Sequence, residues 1–127
     1  MDRDALEQLV GHAFFSRRIL AVTGAGISLA SGIPTFRGSD PGAVWENDVM
    51  EKGTISFFMR EPVEAWRWYA ERFLGLWQKE PNQAHMALES LSRWAKSTGK
   101  EMKLLTQNID CLHRKAGSDA IEVHGRS

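Results

Sequence analysis

Residues 23–38 read TGAGISLASGIPTFRG, and the apolar run Ile19–Val22 leads directly into them. A short apolar run that ends in a glycine-rich turn is typical of a buried strand that feeds a phosphate-binding loop. Gly24 and Gly26 leave room for backbone N–H groups to approach a phosphate closely. The dinucleotide fingerprint has a third glycine where this chain has Leu29. From Gly24-x-Gly26 alone, a phosphate loop and an ordinary strand–turn–helix are equally good interpretations.

The composition limits the class of protein. The chain has 127 residues, the size of one modest domain, and it is short for a complete dinucleotide-binding enzyme. It carries 16 basic and 16 acidic residues, so charge gives no reason to expect binding to nucleic acid or to an anionic membrane. No apolar stretch is long enough to span a bilayer, and the first residues lack the pattern of a signal peptide. We therefore expect a cytoplasmic protein.

The single cysteine, Cys111, excludes an intrachain disulfide and a cysteine-based zinc site built from this chain alone.

Apolar periodicity indicates alternating helices and strands. Helical spacing predicts helices over 4–15, 62–77 and 83–96, the last with Asn82 as its N-cap, and short apolar runs predict strands over 19–22, 103–106 and 120–123. This alternation predicts an α/β fold with a mostly parallel sheet flanked by helices. Three strands are few for such a sheet, which suggests that the sequence stops partway through the domain.

Polar residues follow each predicted strand. Gly24–Ser28 follows the first, Gln107–Asp110 the second and His124 the third. Ligands of open α/β sheets bind at the carboxyl ends of the strands, so these three clusters predict a site at one edge of the sheet. Imidazole is the side chain most often used to accept a proton near neutral pH. Taken singly, His124 is better interpreted as an ordinary surface or core histidine, and Asn108 and Asp110 are better interpreted as loop caps.

Several longer motifs occur in an order that resembles one family, the sirtuins, which are NAD-dependent protein lysine deacylases. The matching segments are GAGIS at 24–28, SGIPTFRG at 31–38, TQNIDCLH at 106–113, AG at 116–117 and VHG at 123–125. The resemblance implies a Rossmann-like parallel sheet, with 1–127 as the N-terminal portion of a catalytic domain. Within it, the resemblance implies a cofactor-binding loop at about 34–60 and a helical segment at about 61–80.

The resemblance also implies an activity, namely acyl transfer from an acyl-lysine protein or peptide to the ADP-ribose of NAD, with release of nicotinamide. His124 would be the general base, and Asn108 and Asp110 would share the catalytic site. Phe36 and Arg37 would lie beside the nicotinamide ribose and shield it from water. The residues implied for cofactor binding are Gly24, Ala25, Gly26, Ser28, Thr35, Phe36, Arg37, Gln107, Asn108, Ile109 and Asp110.

A finer resemblance concerns the acyl group. Tyr69 and Arg72 match the Tyr-x-x-Arg element of the sirtuin class that removes succinyl and malonyl groups, and Thr35 fits the same class. Arginine offers a forked set of donors that suits a carboxylate. From spacing alone, a surface arginine beside a core tyrosine is the better interpretation of this pair, and the family resemblance reverses that preference.

The chain also departs from the family pattern. Sirtuins continue into a zinc module with four cysteines, and this chain has no counterpart of those zinc ligands. We therefore keep two other interpretations open. One is an inert nucleotide-binding or self-associating module with an exposed sheet edge. The other is an NAD hydrolase or ADP-ribosyltransferase, since both reactions share the step that releases nicotinamide.

Overall fold

The structure, a computed structural model, describes residues 2–35 and 52–125. Its three-stranded sheet is parallel throughout and has the order β1-β2-β3, where β1 is Arg18–Thr23, β2 is Glu101–Thr106 and β3 is Ala120–Glu122. The predicted α/β class and the three predicted strands are confirmed. β2 lies in the middle, and β1 and β3 form the two edges.

Helices fill the connections between the strands. The segment after β1 is a 3-10 helix, Ala25–Ser31, which Gly32 ends in the left-handed conformation (φ 76°). A second 3-10 helix, Leu74–Gln78, lies in the connection between β1 and β2. The α-helices are α1 (Arg3–Phe15), α2 (Ile55–Arg60), α3 (Pro62–Phe73), α4 (Gln83–Ser97) and α5 (Leu112–Lys115).

The predicted helix over 62–77 ends as an α-helix at Phe73 and continues as the 3-10 helix. Gly75 lies in this tighter part, and glycine is among the poorest residues for sustaining an α-helix. Asn82 caps α4, as predicted. Within the described part of the chain, no helix has the length and apolarity needed to cross a membrane.

The helices cover one face of the sheet. α4 packs on β2, and Ala95 and Leu104 are buried between them. On the opposite face Leu20, Val22 and Ile121 remain 64%, 59% and 51% exposed. The prediction that β1 is a buried strand is therefore wrong. β1 lies at an edge of the sheet. Its successive side chains point to opposite faces, and the described residues cover only the face that carries Ile19 and Ala21.

Lys100 joins the end of α1 to the start of β2. Its ammonium group donates to the carbonyl oxygens of Phe14 and Ser16, at 2.6 Å and 2.7 Å. The same group lies over the rings of Phe14 and Trp94, which stack on each other. Carbonyls at a helix C-terminus lack partners within the helix, so a cation there satisfies them and interacts favourably with the helix dipole.

We expect Lys100→Met to lower the free energy of unfolding by about 1–2 kcal/mol, since it removes charge-assisted bonds that are partly exposed to solvent. Urea denaturation followed by circular dichroism measures this change. Lys103→Met, at an exposed lysine within β2, is the matched control and should change stability by less than about 0.5 kcal/mol. Equal effects of the two substitutions would mean that the two carbonyl contacts contribute nothing.

Candidate functional site

The three strands end level with one another. Thr23 pairs with Thr106, and Thr106 pairs with Glu122, so the segments that follow the strands leave the sheet at the same edge. The chain then enters the Ala25–Ser31 helix after β1 and residues 107–111 after β2. The register therefore brings the first two predicted clusters together at this edge.

A buried hydrogen-bonded cluster joins the loop after β1 to the loop after β2. The Ser28 hydroxyl is fully buried and donates to Oδ2 of Asp110, at 2.7 Å. The Asn108 amide donates to Oγ of Ser28 at 3.1 Å and to the Gly24 carbonyl oxygen at 3.2 Å. Asn108 and Asp110 are only 5% and 8% exposed, so the low-dielectric surroundings strengthen these bonds and fix their geometry. We call Ser28, Asn108 and Asp110 the polar cluster.

The other oxygen of Asp110 holds the chain that follows it. Oδ1 accepts from the backbone N–H of Leu112 at 3.0 Å, next to the first turn of α5. Between them Cys111 adopts the left-handed conformation (φ 59°), which costs free energy for any residue other than glycine. Such strain persists only where the surrounding structure determines it, and it concentrates at functional sites.

Two histidines lie buried beside the polar cluster. Nε2 of His113 is 2.9 Å from the Thr23 hydroxyl, and the His113 and His85 rings meet edge to face at 4.8 Å between centroids. Nδ1 of His85 accepts from the Asn82 backbone N–H at 3.3 Å, so the neutral His85 ring carries its proton on Nε2. Two ring nitrogens, Nε2 of His85 and Nδ1 of His113, are buried and have no hydrogen-bond partner among the described residues.

Neither histidine is among the site residues predicted from the sequence. His113 was visible as part of the TQNIDCLH motif, and His85 lies three residues after a predicted N-cap, which is the capping-box position. The usual residue at that position is Glu or Gln, so a histidine there indicates a ring packed against the start of the helix.

Burial keeps both rings neutral. It lowers the pKa of His85, and the nearby Asp110 carboxylate opposes this effect. Burial also lowers the pKa of His113, with a further lowering from His85, while Asp110 and Glu122 oppose it. Desolvation outweighs the carboxylates because burial removes both rings from the solvent that would stabilise a positive charge.

The structure also describes several of the other predicted site residues. Ala25 and Gly26 lie in the first turn of the Ala25–Ser31 helix, and Ile109 is half-buried between Asn108 and Asp110. Gln107 is exposed, and its backbone N–H donates to the Thr23 carbonyl oxygen. His124 is exposed in the turn after β3.

The residues predicted to guard the cofactor and read the acyl group are only partly described. Thr35 is half-buried, whereas Phe36 and Arg37 lie outside the described residues. Tyr69 lies on α3, and its ring packs against Trp68 and Phe73. Arg72 is one turn further along the same helix, and its side chain also lies outside the described part.

The glycine-rich segment leaves room for a ligand. A side-chain carbon built on Gly24 or Gly26 meets no atom within 4 Å, so the space in front of these glycines is open. Residues 2–35 and 52–125 contain no group of three or more His, Cys, Asp or Glu side chains that could hold a metal ion.

Comparison with known proteins identifies the family. The model of the Sir2 family matches residues 24–127. The chain belongs to the Sir2 family. It is 43% identical over 112 residues to an NAD-dependent protein deacylase of Thermus thermophilus, a match that covers 87% of this chain and 43% of that protein. It is 39% identical to the NAD-dependent protein deacylase sirtuin-5 of Xenopus tropicalis, over 87% of this chain and 36% of that protein.

Solved structures of Sir2 proteins share the fold. A Sir2 homologue in complex with NAD superposes with a TM-score of 0.77 and 38% identity, over 94% of this chain and 45% of that one. The chain thus spans less than half the length of these Sir2 relatives.

The two buried histidines make stability depend on pH. Because both folded-state pKa values lie below the ordinary 6.5, the unfolded chain binds protons that the folded chain does not. The contribution is therefore fully present above about pH 6.5 and is lost as the pH falls below it. We expect the free energy of unfolding, measured by urea denaturation, to decrease steadily from pH 6.5 to pH 5.

His85→Gln keeps the capping-box acceptor and should reduce this slope. A His85→Gln chain with the parent's slope would show that the buried pair does not cause the pH dependence.

Proposed function

We propose that this chain carries the front part of the active site of an NAD-dependent protein lysine deacylase. The single observation that carries this proposal is the polar cluster, which fixes the glycine-rich segment to the loop after β2 at the carboxyl edge of a parallel sheet. Relatives named NAD-dependent protein deacylases and deacetylases support the choice of reaction. The first step, attack of the acyl oxygen on a ribose carbon with loss of nicotinamide, is common to every acyl group.

The residues present suit NAD in two ways. Gly24 and Gly26 leave open space beside backbone N–H groups, which suits a pyrophosphate. Asn108 and Asp110 lie just behind them and would line the pocket of the nicotinamide ribose. When bound, NAD supplies a ribose carbon from which nicotinamide departs.

The protein's own part is to position groups, exclude water and move one proton. The polar cluster holds the loops in a fixed arrangement before any ligand arrives, which lowers the ordering cost of binding. His124, exposed in the turn after β3, would accept the proton of a ribose hydroxyl at an imidazole nitrogen. Phe36 and Arg37 would close over the ribose and exclude water.

We extend the proposal to acidic acyl groups such as succinyl and malonyl. Tyr69 and Arg72 lie one turn apart on α3, where side chains three residues apart are neighbours. A guanidinium group there would pair with the free carboxylate of the acyl chain, and the tyrosine hydroxyl would add a hydrogen bond.

Measurement of nicotinamide release tests the reaction class. The chain is incubated with NAD alone, with an acetyl-lysine peptide and with a succinyl-lysine peptide. We expect release only in the presence of an acyl peptide, because the acyl oxygen is the nucleophile. Release without peptide would favour NAD hydrolysis or ADP-ribosyl transfer instead.

One observation favours a different function, that of a self-associating module. The edge strand β1 and the exposed side chains of Leu20, Val22 and Ile121 form an open apolar surface at the sheet. Surfaces of this kind pair with a further polypeptide or a second copy. Absence of nicotinamide release under every condition, together with a compact dimer in multi-angle light scattering, would favour this function over the deacylase.

In a preparation with peptide-dependent release, we expect Arg72→Met to reduce turnover of succinyl-lysine peptide at least 100-fold and that of acetyl-lysine peptide less than fivefold. The loss follows from removing the only cation proposed to pair with the acyl carboxylate. Arg67→Met, at an exposed arginine of α3 that pairs with Glu64, is the matched control and should change neither rate. Equal losses on the two peptides would contradict recognition of the carboxylate.

A further inference from the structure

Asn82 has more hydrogen bonds than an N-cap needs. Its Oδ1 accepts from the backbone N–H of Ala84 at 2.9 Å, and its own backbone N–H donates to His85, which completes the capping box of α4. Capping therefore uses the side-chain oxygen and leaves the amide nitrogen available.

That nitrogen reaches across to the glycine-rich segment. Nδ2 donates to the carbonyl oxygen of Ile27 at 2.7 Å and to the Ser31 hydroxyl at 3.0 Å, residues 55 and 51 positions away in sequence. The two bonds use both amide hydrogens. The orientation of the amide is fixed chemically, because its oxygen faces an N–H donor and its nitrogen faces a carbonyl acceptor.

The Ala25–Ser31 helix needs such outside support. A 3-10 helix has poorer internal hydrogen bonds than an α-helix and rarely persists for seven residues on its own. The polar cluster holds it at Ser28 from the end of β2. Asn82 holds it at Ile27 and Ser31 from the start of α4. The other side, with Gly26, Leu29 and Ala30, is exposed.

We propose that Asn82 is a positioning residue for the dinucleotide, which sets NAD affinity by clamping the Ala25–Ser31 helix onto the N-terminus of α4. It touches no ligand itself; it holds the backbone whose N–H groups would face the pyrophosphate. This inference rests on the proposed function, since it assumes that this segment binds NAD. The clamp itself is a property of the free protein and can be measured without any ligand.

Asn82→Asp separates the clamp from the cap. Aspartate has the same shape, keeps the acceptor for Ala84 and suits a helix N-terminus, but it loses both donors. It also adds a negative charge near the proposed pyrophosphate. Asn82→Ser is the matched control for that charge, because serine caps helices well, is neutral and cannot reach Ile27.

Two measurements on the full chain test the proposal. Hydrogen–deuterium exchange of the free protein should show amides of residues 25–33 exchanging at least tenfold faster in both variants, while those in the middle of α4 are unchanged. Isothermal titration calorimetry with NAD and with ADP-ribose should show at least tenfold weaker binding in both.

Any other result would contradict one specific part of the proposal. Unchanged exchange over residues 25–33 would overturn the clamp. Faster exchange with unchanged NAD affinity would overturn the positioning role, and weaker binding in Asn82→Asp alone would assign the effect to charge. Faster exchange in a protein whose parent binds neither ligand would uphold the clamp but overturn the proposed function, and with it the role in affinity.

Discussion

The hydrogen bond between Ser28 and Asp110 is the interaction on which the rest of the site depends. It is short, fully buried and charge-assisted, and it joins the segment after β1 to the segment after β2. A carboxylate enters a protein interior at a large cost unless donors surround it. Asp110 meets this requirement with the Ser28 hydroxyl on one oxygen and the Leu112 N–H on the other. Burial of the Asp110 carboxylate is therefore favourable only when the segment after β1 and the segment after β2 are both in place.

The parallel register determines where that bond can form. Since β1 and β2 end level at Thr23 and Thr106, Ser28 lies five residues beyond one strand end and Asp110 four beyond the other. A shift of one residue in this pairing would move one loop by about 3.3 Å along the sheet, more than the length of the hydrogen bond. Gly24 and Gly26 face open space, and the hydrogen bonds of Asn108 to Gly24 and Ser28 hold their backbone in that position. A polar site that has one fixed arrangement before binding loses less conformational entropy when a charged ligand binds.

Sequence patterns predicted the elements better than they predicted what covers them. Apolar periodicity located the three strands of the described residues and their longer helices, because local spacing controls which face of an element is apolar. Burial of β1 was predicted wrongly, because apolar residues show that a surface should be covered but not whether the chain in hand covers it. At the site, Asn82 was identified only as a cap. Its second pair of hydrogen bonds runs to residues more than 50 positions away, and no local pattern carries such information. The contact between His85 and His113 was missed for the same reason.

The long separations within the site also bear on how the protein folds. Ser28 and Asn108 are 80 residues apart, and Thr23 and His113 are 90 apart. α3 and α4 lie entirely within that interval, and local helical contacts form on a much shorter timescale than parallel pairing between distant strands. Before β1 and β2 meet, however, isolated helices of this length are only marginally stable, because α4 still lacks its packing against β2. In that interval the glycine-rich segment has none of its distant partners, and Asp110 remains hydrated. The ligand-binding geometry thus arises only together with the pairing of β1 and β2, and a chain in which these strands are unpaired has no site.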